Sequence, residues 1–166
     1  MITNSRSDNV NTRNLVVDIL LAVTRDGEFS HIAIRDVLDK YRYLPKQDRA
    51  FITRLSQGSI ERMIELDAII NQFSKTKVKK MKPVIAAILR SGVYQLKYMD
   101  SVPDSAACNE AVKLTVKRGF SGLKGFVNGV MRNIARNLDQ VKWPDAKKEP
   151  VKYLSVRYSV PEWMVQ

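Results

Sequence analysis

Asn128, Arg132 and Arg136 follow one another at steps of four residues, with Lys124 one step before them. On an α-helix that spacing puts an ammonium, an amide and two guanidiniums in a single row along one side. These groups bind rather than make or break bonds. A lysine attracts phosphate as a point charge, and an arginine can grip a phosphate with two parallel N–H donors or stack on a base. Lys117 and Arg118 lie just upstream and add two more cations. Asn128 has two readings, a contact to a ligand or a bond to neighbouring backbone. Arg132 also has two, since a pairing with Glu110 on the preceding helix would hold it inside the fold.

Residues for covalent or metal chemistry are sparse. The chain has one histidine, His31, and one cysteine, Cys108. A lone histidine makes no zinc site, and it reads as a surface or capping residue. Cys108 lies among Ala106, Ala107 and Ala111, where a small buried side chain is the better reading than a nucleophile. Glu61 and Glu65 flank Arg62 on one helix and read as a solvated face. No glycine-rich phosphate loop follows a strand. An enzyme complete in these residues is not expected.

Charge placement narrows the partner. The chain of 166 residues carries a formal net charge of +11. Acids and bases are close to balance between Asp26 and Asp67. From Ala68 to Met99 there are seven bases and no acid, and from Ala111 to Leu138 six bases and no acid. Such a field suits a polyanion, with nucleic acid favoured over an acidic lipid or protein and over a merely solubilising surface. The most apolar run, Leu15 to Val23, is broken by Asp18 and too short to cross a bilayer. No membrane is expected, and with a single cysteine and no visible signal peptide the expected location is cytoplasmic.

The elements that must position these residues are all helical. The pattern predicts an all-α bundle of about seven helices. The first runs from about Asn9 to Arg25, capped near Ser7 or Asp8, and is apolar enough to sit mid-bundle. The second starts after Ser30. A long third runs from Pro45 to Phe73, with Gly58 marking either a bend or a close approach. The lysine-rich KTKVKKMK, residues 75–82, is a loop or a frayed helix end. Pro83 and Pro103 open the fourth and fifth helices. Gly119, after the cationic Lys117-Arg118, is a C′ glycine. The sixth helix holds the Asn128 row, with Phe126, Val127, Val130, Met131 and Ile134 as its buried face. Residues 139–148 read as a connector, and a seventh helix covers about Pro150 to Tyr158. The apolar end, Trp163-Met164-Val165, either folds back on the bundle or belongs to a longer chain, and the second is expected.

Two motifs then carry a resemblance. Val102-Pro103, followed by Ala106-Ala107-Cys108-Asn109-Glu110-Ala111-Val112 and by Phe126-Val127-Asn128-Gly129-Val130-Met131-Arg132, resembles the NusB family of RNA-binding helical domains. Residues 48–62 and 82–103 are similar to the third and fourth helices of that family. The version it most resembles is the N-terminal domain of the small-subunit ribosomal RNA cytosine-5 methyltransferases of the RsmB/Sun type. Gly129 after Asn128 and the tail RYSVPEWMVQ carry that preference.

The resemblance implies a NusB-like helical bundle over residues 1–138. Residues 139–166 would lead as connector and final helix toward a catalytic half that binds S-adenosylmethionine. It implies ribosomal RNA as partner, with a NusE-like ribosomal protein as a further candidate; if the free antitermination factor is the better parallel, it implies boxA RNA and NusE. It also points to basic residues around the first helix, here Arg6 and Arg13. The expected RNA-contacting set is therefore Arg6, Arg13, Lys117, Arg118, Lys124, Asn128, Arg132 and Arg136, with no catalytic or metal-binding residue and no cofactor held by this segment.

Overall fold

The computed structural model describes residues 10–165 and has no strand among them. Eight α-helices follow in order: α1 Thr12–Thr24, α2 Ser30–Lys40, α3 Lys46–Glu61, α4 Met63–Phe73, α5 Pro83–Tyr98, α6 Asp104–Lys117, α7 Lys124–Asn137 and α8 Pro150–Tyr158. Arg6, Ser7 and Asp8, named from the sequence, lie outside the described residues.

α1 is buried nearly all round, through Leu15, Val16, Val17, Ile19, Leu20 and Leu21. It packs against α2, α3, α5 and α6, the central place its apolar sequence demands. Its cap is Asn11, whose side-chain oxygen accepts from the Asn14 backbone N–H at 3.0 Å. The helix therefore starts three residues later than the sequence pattern suggests. Gly27, at φ +76°, turns the chain out beyond its end.

The long third helix is two helices. Arg62, at φ −102° and ψ 17°, breaks the path between α3 and α4. Gly58 marks a close approach: a Cβ there would lie 2.1 Å from Cζ of Tyr94 on α5. Side chains of α3 also close the ends of other helices. The Arg49 guanidinium donates to the Leu38 carbonyl at 2.7 Å, at the end of α2, and Arg54 donates to the Tyr98 carbonyl at 2.8 Å, at the end of α5. Both satisfy carbonyls that no further helical turn can reach.

α5 starts at Pro83, where the missing N–H costs nothing. It is the second buried helix, with Ile85, Ala86, Ala87, Ile88, Leu89 and Val93 in the core. The lysine-rich segment before it holds a short 3₁₀ turn, Val78–Lys80, in which Val78 is buried while Lys79 and Lys80 stay exposed. The apolar residue anchors the turn and the lysines are left to solvent.

α6 and α7 form a helical hairpin. Gly119 sits at φ +87°. Its N–H donates to the Val116 carbonyl at 3.0 Å, and the Phe120 N–H donates to the Thr115 carbonyl at 2.9 Å. This paired closure of a helix end needs a left-handed residue, which is why glycine stands there. A 3₁₀ turn, Ser121–Leu123, then leads into α7. Val127, Val130, Met131 and Ile134 of α7 are buried as their spacing predicts.

After α7, the segment 139–149 is pinned to α4. The Gln72 side chain donates to the Lys142 carbonyl and accepts from the Lys142 N–H, both at 2.8 Å. α8 packs on α4. Trp163, in a 3₁₀ turn at the end, is 74% exposed and Met164 is 57% exposed, so neither folds back on the bundle.

Candidate nucleic-acid interface

The hairpin gathers the row read from the sequence. The Arg132 Nη2 donates to Asn109 Oδ1 of α6 at 2.6 Å, and its Nε donates to Asn128 Oδ1 at 3.2 Å. Asn109 and Arg132 are equally distant along the chain from the turn that joins the helices. The Arg132–Asn109 contact places the middle of the α7 row against the middle of α6. The α7 row from Lys124 to Arg136 spans about 18 Å at 1.5 Å per residue.

Lys113, Lys117, Lys124, Asn128 and Arg136 are exposed, and Arg132 is partly so. Lys113 reaches Glu110 at 3.5 Å with its side chain 72% exposed, a contact that water screens. Among the described residues, Lys117, Lys124, Arg132 and Arg136 have no carboxylate partner. Asn109 and Lys113 were absent from the expected set. Asn109 stands in the motif, but only the hairpin register reveals that it faces Arg132.

The geometry shows the contacts that the two open readings concern. Arg132 meets Asn109 and not Glu110. One residue along a helix is a rotation of about 100°. Glu110 instead contacts Lys113 and bears on Arg13 of α1. Asn128 bonds a side chain of its own helix and stays exposed, so it is a partner of Arg132 rather than a strut to neighbouring backbone.

Arg13 and Arg118 sit differently. The Arg118 Nε donates to Asn14 Oδ1 at 2.8 Å, and its Nη2 donates to the Asn14 carbonyl at 2.9 Å and to Asp18 Oδ1 at 2.6 Å. It clasps the end of α6 to α1. Arg13 donates from Nε to Gln95 Oε1 at 2.8 Å and lies over the Phe51 ring at 5.1 Å. Burial pulls its guanidinium below the ordinary arginine value, with Glu110 opposing. Both arginines hold α1 in place, and only their outer edges remain for a ligand.

Three cations from the acid-free windows, Arg118 among them, find acids elsewhere. Arg90 makes a two-pronged pair with Asp67 at 2.7 and 2.8 Å. Arg118 takes Asp18, and Lys97 takes Glu65. A stretch without acids is thus not a stretch without partners. Cys108 is fully buried, and burial raises its thiol above the usual range. His31 is exposed and stacks on Phe29 at 6.0 Å. No helix is long and apolar enough to cross a membrane among the described residues.

Comparison with known proteins agrees with this architecture. The NusB family pattern matches residues 10–136. A probable ribosomal RNA small subunit methyltransferase B of Bacillus subtilis is 34% identical over 154 residues, which cover 93% of this chain and 34% of the relative. A transcription antitermination protein NusB of Agathobacter rectalis is 39% identical over 90 residues, covering 54% of this chain and 69% of the relative. A crystal structure of antitermination factors NusB and NusE in complex with dsRNA superposes with a TM-score of 0.69 at 22% identity, covering 75% of this chain and 93% of that one. The chain spans about a third of the length of the methyltransferase relatives it matches. With its helices, its paired motifs and the match over most of its length in agreement, the chain belongs to the NusB family.

Proposed function

We propose that this chain is an RNA-docking domain that presents small-subunit ribosomal RNA to a cytosine-5 methyltransferase portion of the same protein. The observation that carries the RNA part is the α6–α7 strip. There Lys117, Lys124, Arg132 and Arg136 line one surface with no carboxylate partner among the described residues, and Asn109 and Asn128 fix the direction of the Arg132 guanidinium. A held guanidinium loses less freedom when it grips a phosphate or stacks on a base. Lys113 adds charge to the same strip, and Arg13 and Arg118 flank it from the α1 side. A phosphate strand laid along the strip meets cations from two helices with little carboxylate nearby.

The methyltransferase setting is supported by the extent of similarity. The match to the methyltransferase relative covers 93% of the chain, whereas the match to the NusB relative covers 54%. Transfer of a methyl group to cytosine C5 would use S-adenosylmethionine. On this reading the site for that cofactor belongs to the catalytic portion. A free antitermination role with a NusE-like partner is the second reading, favoured by the likeness to the NusB–NusE–RNA complex.

Fluorescence anisotropy with labelled fragments of small-subunit ribosomal RNA tests the proposal. Saturable binding that Arg132→Ala/Arg136→Ala weakens, in a protein with unchanged helicity, is the expected result. No binding at low salt would overturn it. Capture of a NusE-type ribosomal protein, with no preference for small-subunit RNA, would favour the second reading.

A further inference from the structure

The segment beyond the family match closes a cleft against the bundle. It has a volume of about 390 Å³ and lies between α4, the end of α5, the connector and α8. That is within the range of small-molecule sites. At its base is Glu65, whose side chain is 5% exposed. Glu65 Oε1 accepts from the Tyr98 hydroxyl at 2.5 Å and from the Lys97 ammonium. Its other oxygen has only Arg62, at 3.5 Å. A carboxylate offers about four acceptor positions, so acceptor capacity remains at the base of the cleft.

The walls suit a flat ring with a charged tail. The Lys97 ammonium lies over one face of the Trp143 ring, 4.7 Å from its centroid, and Trp143 is 44% exposed. Tyr153 of α8 lines the cleft with it, and Arg157 stands beside them. Trp143 is held ready, because the residue before it is fastened by the two Gln72 bonds. Its location is also telling. Tyr98 leads through residues 99–103 into the start of α6, and the end of α7 leads through residues 138–142 to Trp143. The cleft therefore lies at the Arg136 end of the hairpin strip.

We propose that this cleft takes one unstacked nucleotide of a bound RNA strand, with its base against Trp143, its phosphate near Arg157, and an amino group of the base toward Glu65. The inference rests on the RNA-docking reading and deepens it. Aromatic rings bind unpaired bases by stacking, and cations beside them hold the backbone. The carboxylate adds selectivity. Cytosine presents an exocyclic N4 amino donor, whereas uracil flanks its single N–H with two carbonyl oxygens that a carboxylate repels.

The chain has only two tryptophans, Trp143 and Trp163. In the Trp163→Phe protein the emission reports on Trp143 alone. Titration with short oligocytidine should quench it saturably, and oligouridine should need several-fold higher concentration. Trp143→Ala should weaken oligocytidine binding, read by anisotropy, by about fivefold to a hundredfold. Anisotropy showing RNA bound while Trp143 emission stays unchanged would overturn the cleft and leave the strip standing. Equal quenching by the two oligomers would overturn the role of Glu65. No binding by either readout would remove the RNA-docking reading, and the cleft proposal with it.

Discussion

The guanidinium of Arg118 holds Asn14 by both its side-chain oxygen and its backbone carbonyl, at 2.8 and 2.9 Å, across 104 residues of sequence. One arginine thereby closes the end of α6 onto the first turn of the central helix. The Asp18 contact completes the clasp, with the arginine side chain 20% exposed. Arg118→Ala removes a charged donor from two part-buried acceptors. A loss of about 1–3 kcal/mol is expected, read as a lower urea midpoint with an unchanged slope. A variant of full stability that loses RNA affinity would instead place Arg118 in the interface.

Arg132 and Arg136 should behave in the opposite way. Both lie on the open side of α7 and meet no carboxylate among the described residues. Their double replacement by alanine is expected to cost about 1 kcal/mol of stability or less, chiefly through the Arg132–Asn109 bond, and to reduce affinity for every RNA tested. If unfolding tracks the loss of binding, the strip is structural.

Salt dependence measures the number of phosphates engaged. If the strip and its flanks neutralise about five, log affinity should fall against log salt with a slope of roughly 3 to 4, at about 0.7 per phosphate for a single strand. The Arg132→Ala/Arg136→Ala protein should show a slope lower by about 1.4 on the same coefficient. A flat response in the unmodified protein would remove the electrostatic account.

Two helical glycines should respond with opposite sign. A Cβ at Gly58 would collide with the Tyr94 ring, whereas one at Gly129 meets nothing within 4 Å. Gly58→Ala gains about 1 kcal/mol of helix propensity, but overpacking costs typically 1–3 kcal/mol. The ring is also held by its contact with Tyr98 at 5.0 Å. A lower melting temperature is expected for Gly58→Ala and a higher one for Gly129→Ala. Thermal melts of the two variants decide it.

Cys108 gives a pH signature. Burial raises its thiol pKa in the folded state, so the folded protein holds that proton more tightly than the unfolded chain. This contribution is complete below the unfolded thiol pKa of about 8.5 and declines as pH rises past it. The thiol should therefore resist an aromatic disulfide reagent at pH 8 until denaturant is added. Rapid modification of the native protein would contradict the burial of Cys108.

Much of this architecture is written in local sequence. Pro83, Gly119 and the four-residue steps of α7 mark their elements because the physics involved spans only a turn or two of helix. The break at Arg62 carries no such mark, since Glu61-Arg62-Met63-Ile64 contains no helix breaker. There the path changes where Glu65 must reach Lys97 and Tyr98, residues that arrive more than thirty positions later. The same limit applies to the interface. The Asn128–Arg132 step is visible as a spacing, but nothing near Arg118 in sequence announces Asn14. Equally, nothing near Lys142 announces Gln72. Cations drawn inward by distant partners look the same in sequence as cations left facing water.

The Arg118 clasp also orders events during synthesis. Asn14 leaves the ribosome 104 residues ahead of its partner, which at 5–20 residues per second is a wait of about 5–20 s. Through that interval a helix whose apolar residues are buried nearly all round in the finished fold can be shielded only by the elements already made, first α2, then α3 and later α5. Translation speed, and any chaperone that attends a nascent apolar segment, therefore bear on the yield of this domain more than on its final stability.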